Sequence, residues 1–136
     1  MTLHSSVKII NEWDIVAARQ LGRKISKEIG FGTVDQARIT TAISELARNI
    51  FLYAGRGEIS INKVSEVGKQ GLRIVAKDEG PGIIDIRKVM QDGYTTSGGL
   101  GAGLPGVKRL MDSFDIESIA EGESTGTTIT VLKWVR

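Results

Sequence analysis

The order in which helix-forming and strand-forming segments follow one another constrains this chain more than any other feature. Asn11 precedes an amphipathic run over residues 12–28, which Gly30 and Gly32 stop. A second run begins near Thr33 or Asp35 and reaches Tyr53, with Ile39, Ile43, Leu46 and Ile50 at helical spacing, before Gly55 and Gly57 end it. Strand-like runs then come in consecutive pairs: 58–62 with 72–76 across a polar turn at 65–71, and 113–120 with 127–135 across 121–126. An edge strand at 6–10 opens the chain, and short helices at 85–91, capped by Asp85, and at 104–111 flank a glycine-laden loop at 93–103. Nothing alternates as β-α-β. The expectation is therefore an α+β, two-layer sandwich: a mixed, mainly antiparallel sheet with helices on one face, as a single domain over residues 1–136.

Composition narrows the chemistry. The 136 residues include no cysteine, which excludes disulfides, thiolate zinc sites and a catalytic thiol and suits a reducing, cytoplasmic setting. The one histidine, His4, cannot assemble a multi-histidine metal centre and reads as a solvated terminal residue. A net charge of +2 and 5% aromatic residues give no support to a nucleic-acid partner. No apolar stretch approaches the ~20 residues that span a bilayer, and the polar start lacks the regions of a signal peptide, so no membrane partner is expected. Any chemistry falls to carboxylates, amides, hydroxyls and backbone.

Four constellations could carry it. Glu45 and Asn49 stand four apart, on a side of the second helix away from its apolar stripe, and need not be buried. They read either as a solvated polar face or as the carboxylate base and hard oxygen ligand that phosphoryl transfer uses. Alternation places Asp78 on the face of Leu72, Ile74 and Ala76, where it caps the turn of Gly80-Pro81-Gly82 or accepts hydrogen bonds from a ligand such as adenine. The run from Ser97 to Gly106, directly before a helix, is either a flexible loop or a cradle of backbone N–H groups for phosphates. Gly101, Gly103 and Gly106 fit G-x-G-x-x-G, but no β-branched strand precedes them, and no Walker, HRD or DFG motif occurs. Thr127 shares a side with Ile129 and Val131, so its hydroxyl would enter the apolar face beside Asp78, or simply begin a β-branched strand.

Taken in order, a helical E-x-x-x-N, a D-x-G-x-G, a glycine-rich segment and a G-T resemble the GHKL (Bergerat) ATP-binding fold of gyrase, Hsp90, histidine kinases and MutL. The likeness covers essentially the whole chain and leaves no room for the dimerisation helices of a sensor kinase or for a transducer domain. It is closest in kind to the stand-alone anti-sigma-factor-type serine kinases, and the runs 12–22, 30–49 and 96–112 look like the stressosome switch kinases among them.

The resemblance implies an ATP- and Mg²⁺-dependent protein serine/threonine kinase. Glu45 would be its general base and Asn49 a nucleotide contact and Mg²⁺ ligand. Asp78 would accept from adenine with Gly80, Gly82 and Ile83 around the ring, and Thr127 would reach the base through water. Gly98, Gly99, Leu100, Gly101, Ala102 and Gly103 would form the phosphate lid. It further implies STAS-domain scaffold and antagonist proteins as substrates and a PP2C-type phosphatase as the partner activated on release, in stress signalling to a sigma factor. The alternative is a non-catalytic, nucleotide-regulated binding module that sequesters a sigma factor or phosphatase. One departure stands out: related kinases commonly carry an arginine just before the lid glycines, where this chain has Thr95, Thr96 and Ser97, leaving the transferring phosphate to Mg²⁺ and to Lys108 or Arg109.

Overall fold

In the computed structural model, which describes residues 4–91 and 103–136, strand alternation and helical periodicity sort the apolar side chains into one core. Five strands, β1 (His4–Ile9), β2 (Gly57–Glu66), β3 (Lys69–Asp78), β4 (Ser113–Ile119) and β5 (Gly126–Trp134), form one sheet in the order β1-β2-β3-β5-β4. Every pairing is antiparallel, so the expected parallel admixture is absent from the described sheet. Period-two burial is clearest in β5, where Thr127, Ile129, Val131 and Lys133 all turn inward.

Two long helices, α1 (Trp13–Ile29) and α2 (Thr33–Asn49), contribute Ala18, Ile25, Ile39, Ile43 and Leu46 to the same core as Ile59, Ile61, Leu72 and Ile74 of the sheet. Asn11 and Asp14 brace the start of α1 reciprocally: Asp14 Oδ2 accepts from the amides of Ile10 and Asn11, and Asn11 Oδ1 accepts from the Asp14 amide at 3.3 Å. The two helices come very close at Gly22, where an added Cβ would lie 2.1 Å from Ile43 Cδ1. Shorter helices α3 (Ile86–Val89) and α4 (Gly103–Leu110) follow β3, and Asp85 caps α3 by accepting from the Lys88 amide at 3.1 Å, as its sequence position suggests.

Most boundaries shift by a residue or two from expectation, and the differences with structural meaning lie at the β2–β3 turn and at the end of α2. The β2–β3 ladder runs unbroken to Glu66 opposite Lys69, leaving only Val67 and Gly68 as the turn instead of 65–71. Polar side chains there point to solvent while the backbone keeps pairing, and Gly68 supplies the positive φ that so short a turn needs. The second helix stops as an α-helix at Asn49 and continues as a π-helical turn, Ile50–Ala54, closed by the Gly55 amide donating to the Ile50 carbonyl at 2.9 Å.

Lys133 is the one buried lysine among the described residues. Its Nζ donates to the Leu110 carbonyl at 2.8 Å and lies 3.8 Å from Asp35 Oδ1, so an ammonium from β5 ties the end of α4 to the start of α2.

Candidate active site

Because β3 and β5 are neighbours, Asp78 is paired directly with Thr127 at the end of the sheet. The helical segment 46–54 faces them, and a cavity of about 560 Å³ lies between, a size typical of small-ligand sites. Ala76 and Ile129 supply apolar wall from the sheet, and Leu46, Ile50 and Tyr53 supply it from the helical side.

The Asp78 carboxylate takes the first of the two roles its sequence position allowed and stands where the second would be played. Its Oδ1 caps the turn by accepting from the Gly80 amide at 2.9 Å, and the side chain also lines the cavity. One such bond does not exhaust two carboxylate oxygens. Burial pushes the Asp78 carboxyl above its ordinary range, while the backbone amides of Gly80 and Thr127 pull it back.

The turn beyond Asp78 is held from the opposite sheet edge. Thr125 Oγ1 donates to the Gly80 carbonyl at 2.6 Å, and the Ile83 amide donates to Ser118 Oγ at 2.7 Å. Gly82 sits at φ +77°, and a Cβ there would fall 2.2 Å from the Ile119 carbonyl oxygen, so both conformation and space demand glycine.

Of the residues singled out from sequence, Asn49, Asp78, Gly82, Ile83, Gly103 and Thr127 all line this one cavity. Gly80 does not line it but is bonded at both its N–H and its C=O. Glu45 is also off the lining, one helical turn before Asn49 on the same side of α2. Of the two readings the sequence left open, the solvated polar face does not hold for Glu45, which is only 6% exposed where α2 packs against α1, α4 and the sheet. Its Oε1 accepts from Arg48 Nη1 at 2.9 Å, which provides the opposite charge a buried carboxylate requires. Gly98, Gly99, Leu100, Gly101 and Ala102 lie outside the described residues.

Lys108 and Arg109 do not line the cavity: they occupy the last turn of α4, whose first residues, Gly103 and Leu104, do. Among the described residues, the basic side chain on the lining is Lys88 of α3. Sequence reasoning passed over Lys88, Tyr53 and Ser118. Tyr53 had a signal, since Glu45, Asn49 and Tyr53 recur at intervals of four. For Lys88 and Ser118 only the tertiary fold supplies one.

Residues 34–135 match the family described as histidine kinase-, DNA gyrase B- and HSP90-like ATPase. Over all 136 residues, and the whole length of the relative, the chain is 69% identical to Serine/threonine-protein kinase RsbT of Bacillus subtilis (strain 168). It is 30% identical over 103 residues, 73% of this chain and 70% of the relative, to Anti-sigma F factor of Thermoanaerobacter sp. (strain X514). Among solved structures, the RsbU and RsbW domains of Rv1364c from Mycobacterium tuberculosis superpose with a TM-score of 0.63 at 21% identity, over 98% of this chain and 32% of that one. A chain of the SiaB-SiaC complex from Pseudomonas aeruginosa gives 0.60 at 12% identity, over 98% and 91%. These distant structures speak for the fold alone, whereas the family match and the full-length relative speak for descent: the chain belongs to the histidine kinase-, DNA gyrase B- and HSP90-like ATPases and, among them, to the RsbT-type serine/threonine-protein kinases.

Proposed function

We propose that this kinase transfers the γ-phosphoryl group of Mg²⁺·ATP to a serine or threonine of STAS-domain scaffold and antagonist proteins. Once released from them, it binds and activates a PP2C-type phosphatase that signals general stress to a sigma factor. The work is done in the cytoplasm; among the described residues, no helix is long and apolar enough to cross a membrane. The observation that carries this reading is the meeting of Asp78 and Thr127, paired on adjacent strands, with Asn49 of α2 across one cavity.

Each group has work suited to its place. Asp78 accepts from the adenine amino group in a half-dry setting where a charge-assisted hydrogen bond is strong. Gly82 and Ile83 bring backbone against the ring face, and Thr127 holds the base edge. The described residues contain no cluster of three or more acidic, histidine or cysteine side chains. A single amide oxygen from Asn49 fits a hard cation that keeps phosphate oxygens and waters as its remaining ligands, as Mg²⁺ prefers. Such a cation would neutralise charge on the transferring phosphate. Glu45, one turn away, takes the proton of the attacking hydroxyl, and Arg48 holds its carboxylate in place until then.

Transfer also drives release. A new group of about −1.5 to −2 charge on the partner meets Glu45 and the departing ADP in an interface that formerly held a neutral hydroxyl. Incubation of the chain with labelled ATP and a purified STAS protein, followed by mapping of the label and a pull-down, tests the whole scheme. Label on a serine or threonine with loss of the complex is expected. A phosphorylated partner bound as tightly as the unmodified one would sink the switch, and absence of transfer would leave the non-catalytic binding module.

A further inference from the structure

Three hydrogen bonds meet at the hydroxyl of Ser118 on β4, a residue with no part in the phosphoryl transfer proposed for the cavity. The Ile83 amide donates to Ser118 Oγ at 2.7 Å, Ser118 Oγ donates to the Gly126 carbonyl at 3.1 Å, and Thr127 Oγ1 lies 2.7 Å from the same oxygen. A hydroxyl owns one proton and two lone pairs. The Gly126 carbonyl can only accept, so it takes the Ser118 proton; the Ile83 amide can only donate, so it occupies one lone pair. What remains for Thr127 is the other lone pair. With all three bonds made together, Thr127 gives its own proton to Ser118 and turns only lone pairs toward the cavity it lines, beside the carboxylate of Asp78.

We infer that Ser118 is a positioning residue for nucleotide choice: by drawing the Thr127 proton away, it makes this end of the cavity acceptor-only and favours a purine with an exocyclic amino group over one with a carbonyl oxygen at that position. The inference rests on the nucleotide reading of the cavity. An amino group has two hydrogens to give, directly or through one water. A carbonyl oxygen has none and faces two acceptors, and the one group that could have swung a proton toward it, the Thr127 hydroxyl, is already committed. Ser118 is not on the cavity lining; it acts through Thr127.

The test compares Mg²⁺·ATP with Mg²⁺·ITP, which carries the carbonyl oxygen, by calorimetric titration of the full chain. In Ser118→Ala the Thr127 hydroxyl is free to donate inward, and the preference for ATP over ITP should fall about tenfold, the value of one hydrogen bond. Ser118→Thr keeps the hydroxyl and should keep the parent ratio within about twofold. Equal weakening of both nucleotides in Ser118→Ala, with the ratio unchanged, would reduce Ser118 to a clamp on Ile83 and overturn the inference, as would a parent chain without preference. Should Ser118→Ala fail to fold by circular dichroism, Ser118→Cys, of similar size but a weak hydrogen-bonding partner, carries the same readout and the same two outcomes. Asp78→Asn separates the role of Ser118 from the nucleotide reading beneath it. If that variant loses ATP while the Ser118→Ala ratio stays at the parent value, only the role of Ser118 fails; if it binds ATP as the parent does, the nucleotide reading itself fails.

Discussion

The two ends of the candidate site are built from different material. Around Asp78 and Thr127, short side chains and backbone groups interlock: Gly80 is bonded on both sides, Ile83 is tied to Ser118, and Gly82 has no room for a Cβ. Around Glu45 and Asn49, the candidate groups project from one helix, and among the described residues Glu45 has one side-chain partner, Arg48. A rigid end suits recognition, because little order remains to be imposed when the ligand arrives. A looser end suits a carboxylate that must exchange a partner for a proton. The difference predicts that damage at one end appears in affinity and damage at the other in rate.

Glu45→Ala should draw the sharpest line, lowering phosphoryl transfer to the partner by about 10²–10⁴-fold while ATP affinity stays near the parent value. Single-turnover transfer and equilibrium binding measured on the same preparation check both halves, and a matching loss of affinity would erase the distinction. Asp78→Asn should do the reverse, weakening ATP binding by about 10–100-fold through loss of one charge-assisted hydrogen bond. Calorimetric titration decides it.

Gly82→Ala tests whether the rigid end is rigid by necessity. Positive φ and a contact of 2.2 Å with the Ile119 carbonyl should together lower stability by about 1–3 kcal/mol, seen as an earlier thermal unfolding midpoint. An unshifted midpoint would mean that the turn can move.

The smallest effect concerns pH. Burial raises the folded-state pKa of Asp78 above its unfolded value, so the folded state binds the proton more tightly. Stability from this group is complete below the unfolded pKa of about 3.8 and is lost as pH rises through the raised folded value. At neutral pH, Asp78→Asn should therefore unfold at or slightly above the parent temperature. That advantage should shrink as pH falls through the raised value, a trend that melting curves across acidic pH would register. A variant less stable at every pH would show that turn capping by the carboxylate outweighs the cost of burying it.

Much of this was legible from periodicity alone. Apolar spacing places α1 and α2, alternation puts Asp78 and Thr127 on the inner face of their strands, and the position of Asp85 marks a helix start. What escaped depends on contacts between distant segments. Glu45 is buried because other elements cover α2, which the angular offset of one helix cannot reveal. The π-helical turn after Asn49 interrupts a pattern that continues to read as helix in sequence. Lys108 and Arg109 draw notice as cations near the glycines, yet helix geometry carries them to the far end of α4 from Gly103. Ser118 is one of two serines in an alternating strand, and only the pairing of β4 with β5 brings it to Thr127.

The sheet order has a consequence for how this protein comes into being. β5 is the last strand along the sequence, yet it lies inside the sheet, between β3 and β4. Until β5 arrives, β3 keeps an open edge and β4 has no neighbour, and closing that gap joins segments far apart in sequence, a slow kind of pairing. Asp78 lacks Thr127 for the same interval. A nascent chain thus lacks the finished cavity proposed to take the base, and ATP, which stabilises only states able to bind it, can draw the equilibrium toward the finished fold and not toward its precursors.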